Sequence, residues 1–132
     1  EIASCLVGSE MCIRDSGTMN DMIAALSIAP AGLPSDPSVA PDAPGSYTNA
    51  VAAVVDVIRR SGLPCETTSM FTSIEGEWDE VMRVVKAACD EAMRFGSRVS
   101  LVLKADIRAD GRTGELTGKV NRVTAKLQEG TR

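Results

Sequence analysis

The fold of this chain is decided by TSIEGEWDEVMRVVKAACDEAMRFGSRVSLVLKADI, residues 72–107, in which a strand, a helix and a second strand follow one another. Apolar residues in its middle part recur every three or four positions, which predicts an amphipathic helix that ends at Gly96. After Gly96 apolar and polar residues alternate, which predicts a strand with one buried face. The predicted helical stripe consists of Trp78, Val81, Val85, Ala88, Ala92 and Phe95.

The preceding part of the chain adds a strand, a loop and a helix. Met22–Pro30, MIAALSIAP, is a short apolar run that ends at proline and predicts a largely buried strand. Residues 31–46 are rich in proline and serine and predict a loop that is long for a domain of this size. Apolar residues at helical spacing between Val51 and Ile58 predict a helix that ends at Gly62.

Two short strands and a terminal helix complete the pattern. The strands are predicted at about Glu66–Ser69 and Thr72–Glu75, and the helix at KVNRVTAKLQ, with Val120, Val123 and Leu127 turned inward. The order is therefore βαββαβ followed by a helix. This order predicts an α+β fold, a ferredoxin-like βαββαβ sandwich with a short extra C-terminal helix.

In this fold two helices cover one face of a four-stranded antiparallel sheet. The second face would carry apolar side chains such as Val102, which are unfavourable in contact with water. We therefore expect self-association to a dimer or tetramer through the sheet faces.

The first residues do not fit this pattern. EIASCLVGSEMCIRDSGT lacks both the basic segment and the apolar run of a signal peptide and resembles a translated sequencing-adapter fragment. We expect residues 1–18 to be a non-native leader and residues 19–132 to form a single domain that starts at Met19 or Met22. Without the three acids and one base of the leader, the formal net charge changes from −4 to −2.

Composition excludes several classes of function. The acidic balance, with a net charge of −4 and no cluster of Lys and Arg, argues against nucleic acid as a partner. No apolar run is long enough for a membrane span. The chain has no histidine, and its four cysteines form no C-x-x-C motif. The sequence therefore predicts no metal, no cofactor and no Ser-His-Asp hydrolase, and a reducing cytoplasmic location.

Four carboxylates surround the single tryptophan, Trp78. Glu77, Asp79 and Glu80 lie where a helix begins, and acids there are stabilised by the helix dipole. Glu75 precedes Gly76 at the end of a strand, where its carboxylate could equally reach a pocket and pair with a cationic or amidine-like ligand.

Lys104 shares a strand face with Asp106, since the two are separated by one residue. This pair could be a cross-strand ion pair or a ligand contact.

Several motifs together resemble the small thiamine-binding protein family. They are SIAP (27–30), SGL (61–63), T-x-I-E-G-E-W-D-E-V (72–81), K-x-D-x-R (104–108) and GKV (118–120), and the similarity extends from Met22 to about Leu127. In the family a short loop leads directly into a helix that an aromatic residue opens. Here the loop is longer and Tyr47 lies about one turn early.

The resemblance implies a non-enzymatic protein that binds thiamine or its hydroxymethylpyrimidine moiety and that assembles through its sheets. The positions that match the family's ligand-binding residues are Ser27, Thr72, Ile74, Glu75, Trp78 and Lys104. Two other functions remain open at this point. One is a structural or regulatory oligomer without a small ligand, and the other is an accessory enzyme of thiamine salvage that acts through Glu75 and Asp106.

Overall fold

The computed structural model describes residues 21–130, and the leader predicted for residues 1–18 lies outside this part. Four strands and three helices follow in the order βαββαβα. They are β1 (Asp21–Ala31), α1 (Thr48–Arg60), β2 (Cys65–Thr67), β3 (Thr72–Glu77), α2 (Trp78–Ala92), β4 (Arg98–Ile107) and α3 (Glu115–Gly130). The predicted ferredoxin-like α+β fold is confirmed.

The four strands form one antiparallel sheet in the order β2-β3-β1-β4. β1 pairs with β4 from Met22 to Ala31, but with β3 only from Asp21 to Leu26. The last five residues of β1 therefore have no neighbouring strand on the β3 side. Because β1 pairs with β3 over a shorter length than with β4, space remains beside its last residues for the cavity described below.

The hydrophobic core lies between one face of the sheet and helices α1 and α2. Residues of β1 alternate strictly between buried and half-buried from Asp21 to Pro30, as expected for a strand with one covered face. The buried side chains of the core come from β1, α1, β3 and α2: Met22, Ala24, Leu26, Ile28, Val54, Ile58, Ile74, Val81, Val85, Ala88 and Ala92.

The N-terminus of α2 has the predicted acidic start. The Glu77 carboxylate accepts a hydrogen bond from the backbone N–H of Asp79 at 3.0 Å, and Asp79 and Glu80 occupy the first turn. The interpretation of Trp78 as an inward-facing residue was wrong, because its side chain is 45% exposed. Trp78 is the first residue after β3, and the buried stripe of α2 begins only at Val81.

Helix α3 differs most from the prediction. It begins at Glu115, four residues before the predicted start, and its Val120, Val123 and Leu127 are 60–65% exposed instead of inward. The helix contacts the sheet chiefly through β3, and these three apolar side chains stay largely exposed. No helix within residues 21–130 combines the length and apolarity that crossing a bilayer requires.

Candidate functional site

A cavity of about 670 Å³ lies where β1 extends past the start of β3. Because Leu26 pairs with Thr72, the first residue of β3, the chain beyond Leu26 has no β3 partner. The gap is bounded by β1, by the β2–β3 turn (residues 68–71) and by the first turns of α1. We call it the hydroxyl cavity, and its volume lies within the range of small-molecule sites.

Hydroxyl groups and apolar side chains share the lining of the hydroxyl cavity. Its hydroxyl-bearing residues are Ser27, Tyr47, Thr48, Thr67, Thr68, Ser69 and Thr72. Its apolar residues are Leu26, Ile28, Ala29, Val51, Ala52, Val54, Val55, Met70 and Phe71. Such a lining suits a flat, largely uncharged heterocycle with a few polar edge atoms.

Some of these hydroxyls are committed to the protein itself. The Thr67 and Thr72 hydroxyls lie 3.2 Å apart, and the Thr68 hydroxyl donates to the carbonyl oxygen of Phe71 at 3.0 Å. The hydroxyls of Ser27 and Ser69 have no hydrogen-bond partner among residues 21–130. Ser69 lies in the exposed β2–β3 turn and is available to a ligand in the cavity. Ser27 alternates with the buried residues Leu26 and Ile28, so its side chain lies on the sheet face opposite to α1, and Ser27 borders the cavity at the open edge of β1.

The proline-rich loop (residues 32–46) is fixed at its start to the end of α2. The Asp36 carboxylate lies 2.8 Å from the Arg94 guanidinium, and the Ser35 hydroxyl donates to the carbonyl oxygen of Met93 at 2.7 Å. Hydrogen bonds from the side chain and the backbone of Ser38, and then from Arg94, lower the pKa of Asp36 to about 2. The long loop is thus held in place by a carboxylate that stays ionised.

The other end of the proline-rich loop caps the N-terminus of α1. The Asp42 carboxylate accepts hydrogen bonds from the backbone N–H groups of Asn49 at 2.6 Å and Ala50 at 3.1 Å. The preceding N–H, of Thr48, donates to the Ser46 hydroxyl at 3.2 Å. A helix N-terminus normally attracts anions, and here a side chain of the protein already occupies that position.

A smaller cavity of about 210 Å³ lies beneath the proline-rich loop, and we call it the loop cavity. Tyr47 is shared by the linings of both cavities and its side chain is half exposed. Asp42 and Phe95 also line the loop cavity. Tyr47 therefore forms a wall between a hydroxyl-lined space and a space that contains a carboxylate.

A third space, a groove of about 440 Å³, lies between α1 and α2. Its lining includes Arg60, Arg83 and Glu80. None of the residues predicted to bind ligand reaches it.

Glu75 occupies a different environment from the cavities. Its buried carboxylate accepts hydrogen bonds from the backbone N–H groups of Glu115 at 2.8 Å and Leu116 at 3.1 Å. Glu75 therefore caps the N-terminus of α3, forty residues along the chain. Asp106 lies on the same sheet face, on the other side of Ile23 of β1, and forms an ion pair with Lys119 of α3.

Arginines surround the carboxylate of Glu115, which is also buried. Arg122 donates to it at 2.6 Å, and Arg108 and Arg112 lie 3.6 and 3.8 Å away. The hydrogen bond from Arg122, and then the charges of Arg122, Arg108 and Arg112, hold the pKa of Glu115 below its usual range. Within residues 21–130 no group of three or more Cys, Asp and Glu side chains is arranged to hold a metal ion.

The structure brings two of the six predicted ligand-binding residues together. Ser27 and Thr72 both line the hydroxyl cavity. The other four are Ile74 in the core, Glu75 beneath α3, Trp78 exposed at the start of α2 and Lys104 exposed on β4. None of these four lines the hydroxyl cavity, and their assignment as ligand contacts stays a prediction.

Sequence reasoning missed Ser69 and Asp42. Ser69 lies in a turn whose position was predicted only loosely, since the short strands on either side alternate imperfectly. Asp42 lies six residues before α1 and caps it from within a loop, whereas a capping residue is normally sought directly before the helix. The signal available in the sequence was an acidic residue between two prolines, Pro41 and Pro44.

Comparison with known proteins places the chain in a family. A family model described as thiamine-binding protein matches residues 24–124. UPF0045 protein Mb1933 of Mycobacterium bovis is 46% identical over 78 residues, which cover 58% of this chain and 76% of that protein. UPF0045 protein MJ1052 of Methanocaldococcus jannaschii is 29% identical over 92 residues, which cover 70% of this chain and 82% of that protein.

Solved structures agree with the fold. The crystal structure of MJ1052 superposes with a TM-score of 0.61 and covers 76% of this chain and 94% of that one. A Thermotoga maritima protein, TM0486, shares the fold with a TM-score of 0.59 at 23% identity, covering 78% of this chain and 98% of that one. The family match spans most of the chain and includes both strands and both helices that form the hydroxyl cavity and the core. The chain therefore belongs to the thiamine-binding protein family.

Proposed function

We propose that this protein binds thiamine or its hydroxymethylpyrimidine moiety in the hydroxyl cavity and releases it chemically unchanged. The observation that carries the proposal is the cavity itself, which offers free hydroxyls beside apolar side chains in a member of the thiamine-binding protein family. The candidate thiamine biosynthesis/salvage protein from Thermotoga maritima has the same fold, which is consistent with this function.

The chemistry of the aminopyrimidine ring matches the lining. The ring has nitrogen acceptors and an exocyclic amino donor at its edge, and hydroxyl groups can serve as donors or acceptors. Ser69 would meet the ring edge, while Met70 and Phe71 of the β2–β3 turn would cover its faces. A neutral heterocycle would thus be bound without burying an unpaired charge.

The two carboxylates that an enzyme mechanism would use are already engaged by other groups of the protein, which favours binding without catalysis. The chain contains no histidine. Glu75 and Asp106, the two residues of the enzyme alternative, are engaged by the N-terminus of α3 and by Lys119. The Lys119 contact also lowers the pKa of Asp106, which makes that carboxylate a weaker base.

Titration calorimetry with thiamine and with hydroxymethylpyrimidine tests the proposal. We expect Ser69→Ala to weaken binding about fivefold, the effect of one hydrogen bond worth about 1 kcal/mol. Ser100→Ala is the matched control, because Ser100 lies on strand β4 and does not line the cavity. The absence of heat with both compounds up to millimolar concentration would exclude the proposed function and favour the structural oligomer.

We also propose that the protein self-associates, with α3 and β4 contributing the contact. β4 is one of the two edge strands of the sheet, and Leu101, Val102 and Ile107 on it are 40–54% exposed. Val120, Val123 and Leu127 add a second exposed apolar stripe on α3. A second copy that covers these side chains would remove both the open strand edge and the apolar surface from water. The unpaired Cys65 and Cys89 are consistent with a reducing cytoplasmic setting for this assembly.

Light scattering after size exclusion tests self-association. We expect the native protein to elute as a dimer or tetramer, and Val123→Glu to shift it towards the monomer, because a charge would enter the apolar contact. Ala125→Glu introduces the same charge on the opposite side of α3, because position 125 lies about half a turn away from Val120, Val123 and Leu127, and it should leave the assembly intact. A monomeric native protein at about 0.1 mM, well above the Kd of stable assemblies, would contradict self-association.

A further inference from the structure

Among the described residues, the side chains that line the two cavities sharing Tyr47 include a negative charge and no positive charge. The hydroxyl cavity is lined by no charged side chain, and the loop cavity by one, Asp42, counting residues 21–130. The space open to a ligand therefore carries a carboxylate and no cation. Arginines do occur elsewhere in the described chain, including Arg60 and Arg83 in the groove between α1 and α2. Arg94, at the start of the proline-rich loop, is paired with Asp36 and lines neither cavity.

The N-terminus of α1 would normally compensate for the missing cations. It borders the hydroxyl cavity, since Thr48 and Val51 both line it. However, Asp42 accepts the N–H groups of Asn49 and Ala50, and the N–H of Val51 donates to the carbonyl oxygen of Tyr47 at 2.8 Å. The anion position at this helix end is filled by the protein, so a phosphate cannot use it.

We propose that this site distinguishes thiamine from its phosphate esters, binding the unphosphorylated vitamin or its neutral pyrimidine part and rejecting the mono- and diphosphate. The inference rests on the proposed function and specifies the ligand class of the same site. A phosphate group would bring one or more negative charges into a space that offers it no cationic partner and holds a carboxylate nearby, which is strongly unfavourable. Free thiamine instead carries a positive charge, which Asp42 and the Tyr47 ring attract.

Binding measurements with four ligands distinguish a failure of this inference from a failure of the proposed function. Titration calorimetry of the full chain with hydroxymethylpyrimidine, thiamine, thiamine monophosphate and thiamine diphosphate should show binding of the first two and at least about tenfold weaker binding of the diphosphate, as expected for an uncompensated charge. Diphosphate binding as tight as thiamine binding would overturn the inference and leave the proposed function standing. Failure of all four to bind would overturn the proposed function, and this inference with it.

Asp42→Asn tests the origin of the selectivity. Asparagine keeps a side-chain oxygen that can accept an N–H of α1, but it removes the charge. We expect the ratio of thiamine to diphosphate affinity to fall at least about threefold, because the repulsion is removed and the helix end is less neutralised. Asp36→Asn is the matched control, since it removes an equal charge from the same loop at its far end, against Arg94. An equal change of the ratio in both variants would overturn the role of Asp42.

A variant that adds a cation beside the cavity tests the inference without changing the proline-rich loop. Ser69 lies in the exposed β2–β3 turn at the cavity, so Ser69→Lys would place a cation at its rim. We expect this variant to bind the diphosphate at least about threefold more tightly than Ser69→Met, which has a similar length and no charge, because the added cation attracts the phosphates. An unchanged diphosphate affinity in Ser69→Lys would argue that the phosphates do not enter this region and would contradict the inference.

Discussion

Glu75→Gln is expected to lower the free energy of unfolding by about 2 kcal/mol, since hydrogen bonds to a charged group contribute about 1.5–3 kcal/mol and a buried unmet group adds to the loss. The Glu75 carboxylate accepts the N–H groups of both Glu115 and Leu116. A glutamine has one acceptor oxygen, so its amino group would face one of these two donors. Thermal and denaturant unfolding measure the loss, and hydrogen exchange at the Leu116 amide reports the release of α3.

The matched control for this prediction is Glu77→Gln. Glu77 caps the neighbouring helix α2 through one N–H at 3.0 Å, and it is half buried. Its replacement should cost less, about 0.5–1 kcal/mol, because a cap with partial exposure is replaced in part by water. Equal losses in the two variants would mean that the double cap does not hold α3. Loss of thiamine affinity without loss of stability in Glu75→Gln would instead support Glu75 as a ligand contact.

Gly96→Ala is expected to destabilise the fold by about 2–3 kcal/mol, the cost of forcing an extra methyl group into a packed position. Gly96 is buried, and a Cβ there would lie 2.5 Å from the carbonyl oxygen and 2.8 Å from the nitrogen of Ala31. Ala31 is the last residue of β1 and pairs with Arg98 of β4, so its backbone cannot move without breaking that pairing. Denaturant unfolding of the purified variant gives the value.

Gly130→Ala provides the control for Gly96→Ala. An added Cβ at Gly130 meets no atom within 4 Å, and Gly130 is the last residue of α3. Its replacement should therefore change stability by no more than about 0.5 kcal/mol, as for an exposed surface site. A comparably small effect for Gly96→Ala would show that the approach of residue 96 to β1 can relax.

The elements of the sandwich could be predicted from the sequence because each of them depends on local pattern. β1 and β4 differ from the predicted strands by a residue or two at their ends, and α1 ends just before Gly62, whose φ of 80° suits glycine. The apolar periodicity of α2 from Val81 to Ala92 is the buried stripe of the structure. Local patterns record which face of an element is apolar, and in these elements that face meets the core.

In α3 the same reasoning failed for a physical reason. The stripe of Val120, Val123 and Leu127 has the spacing of a buried face, but periodicity does not show what lies opposite that face. The position of the helix is set instead by Glu75 and by the ion pair of Asp106 with Lys119, both of them polar contacts between distant parts of the chain. Contacts of this kind leave no periodic trace in a single sequence.

The candidate site could be predicted only in part. Ser27 and Thr72 were identified through their place in family motifs, and the structure brings them to one cavity. The cavity arises because β1 pairs with β3 only as far as Leu26, whereas it pairs with β4 as far as Ala31. The residue pattern of a single sequence does not predict such a difference in the length of strand pairing. The capping of α1 by Asp42 was equally hidden, since it depends on the path of the proline-rich loop.

The extension of β1 past the start of β3 also bears on how proteins with this scaffold can change during evolution. Two walls of the hydroxyl cavity are the β2–β3 turn and the residues that lead into α1, and neither belongs to the sheet pairing that fixes the architecture. Insertions or exchanges in these two segments can reshape what the protein recognises while every strand keeps its partner. Recognition and foldability are therefore inherited as separable traits, so a relative with the same scaffold need not share the same ligand.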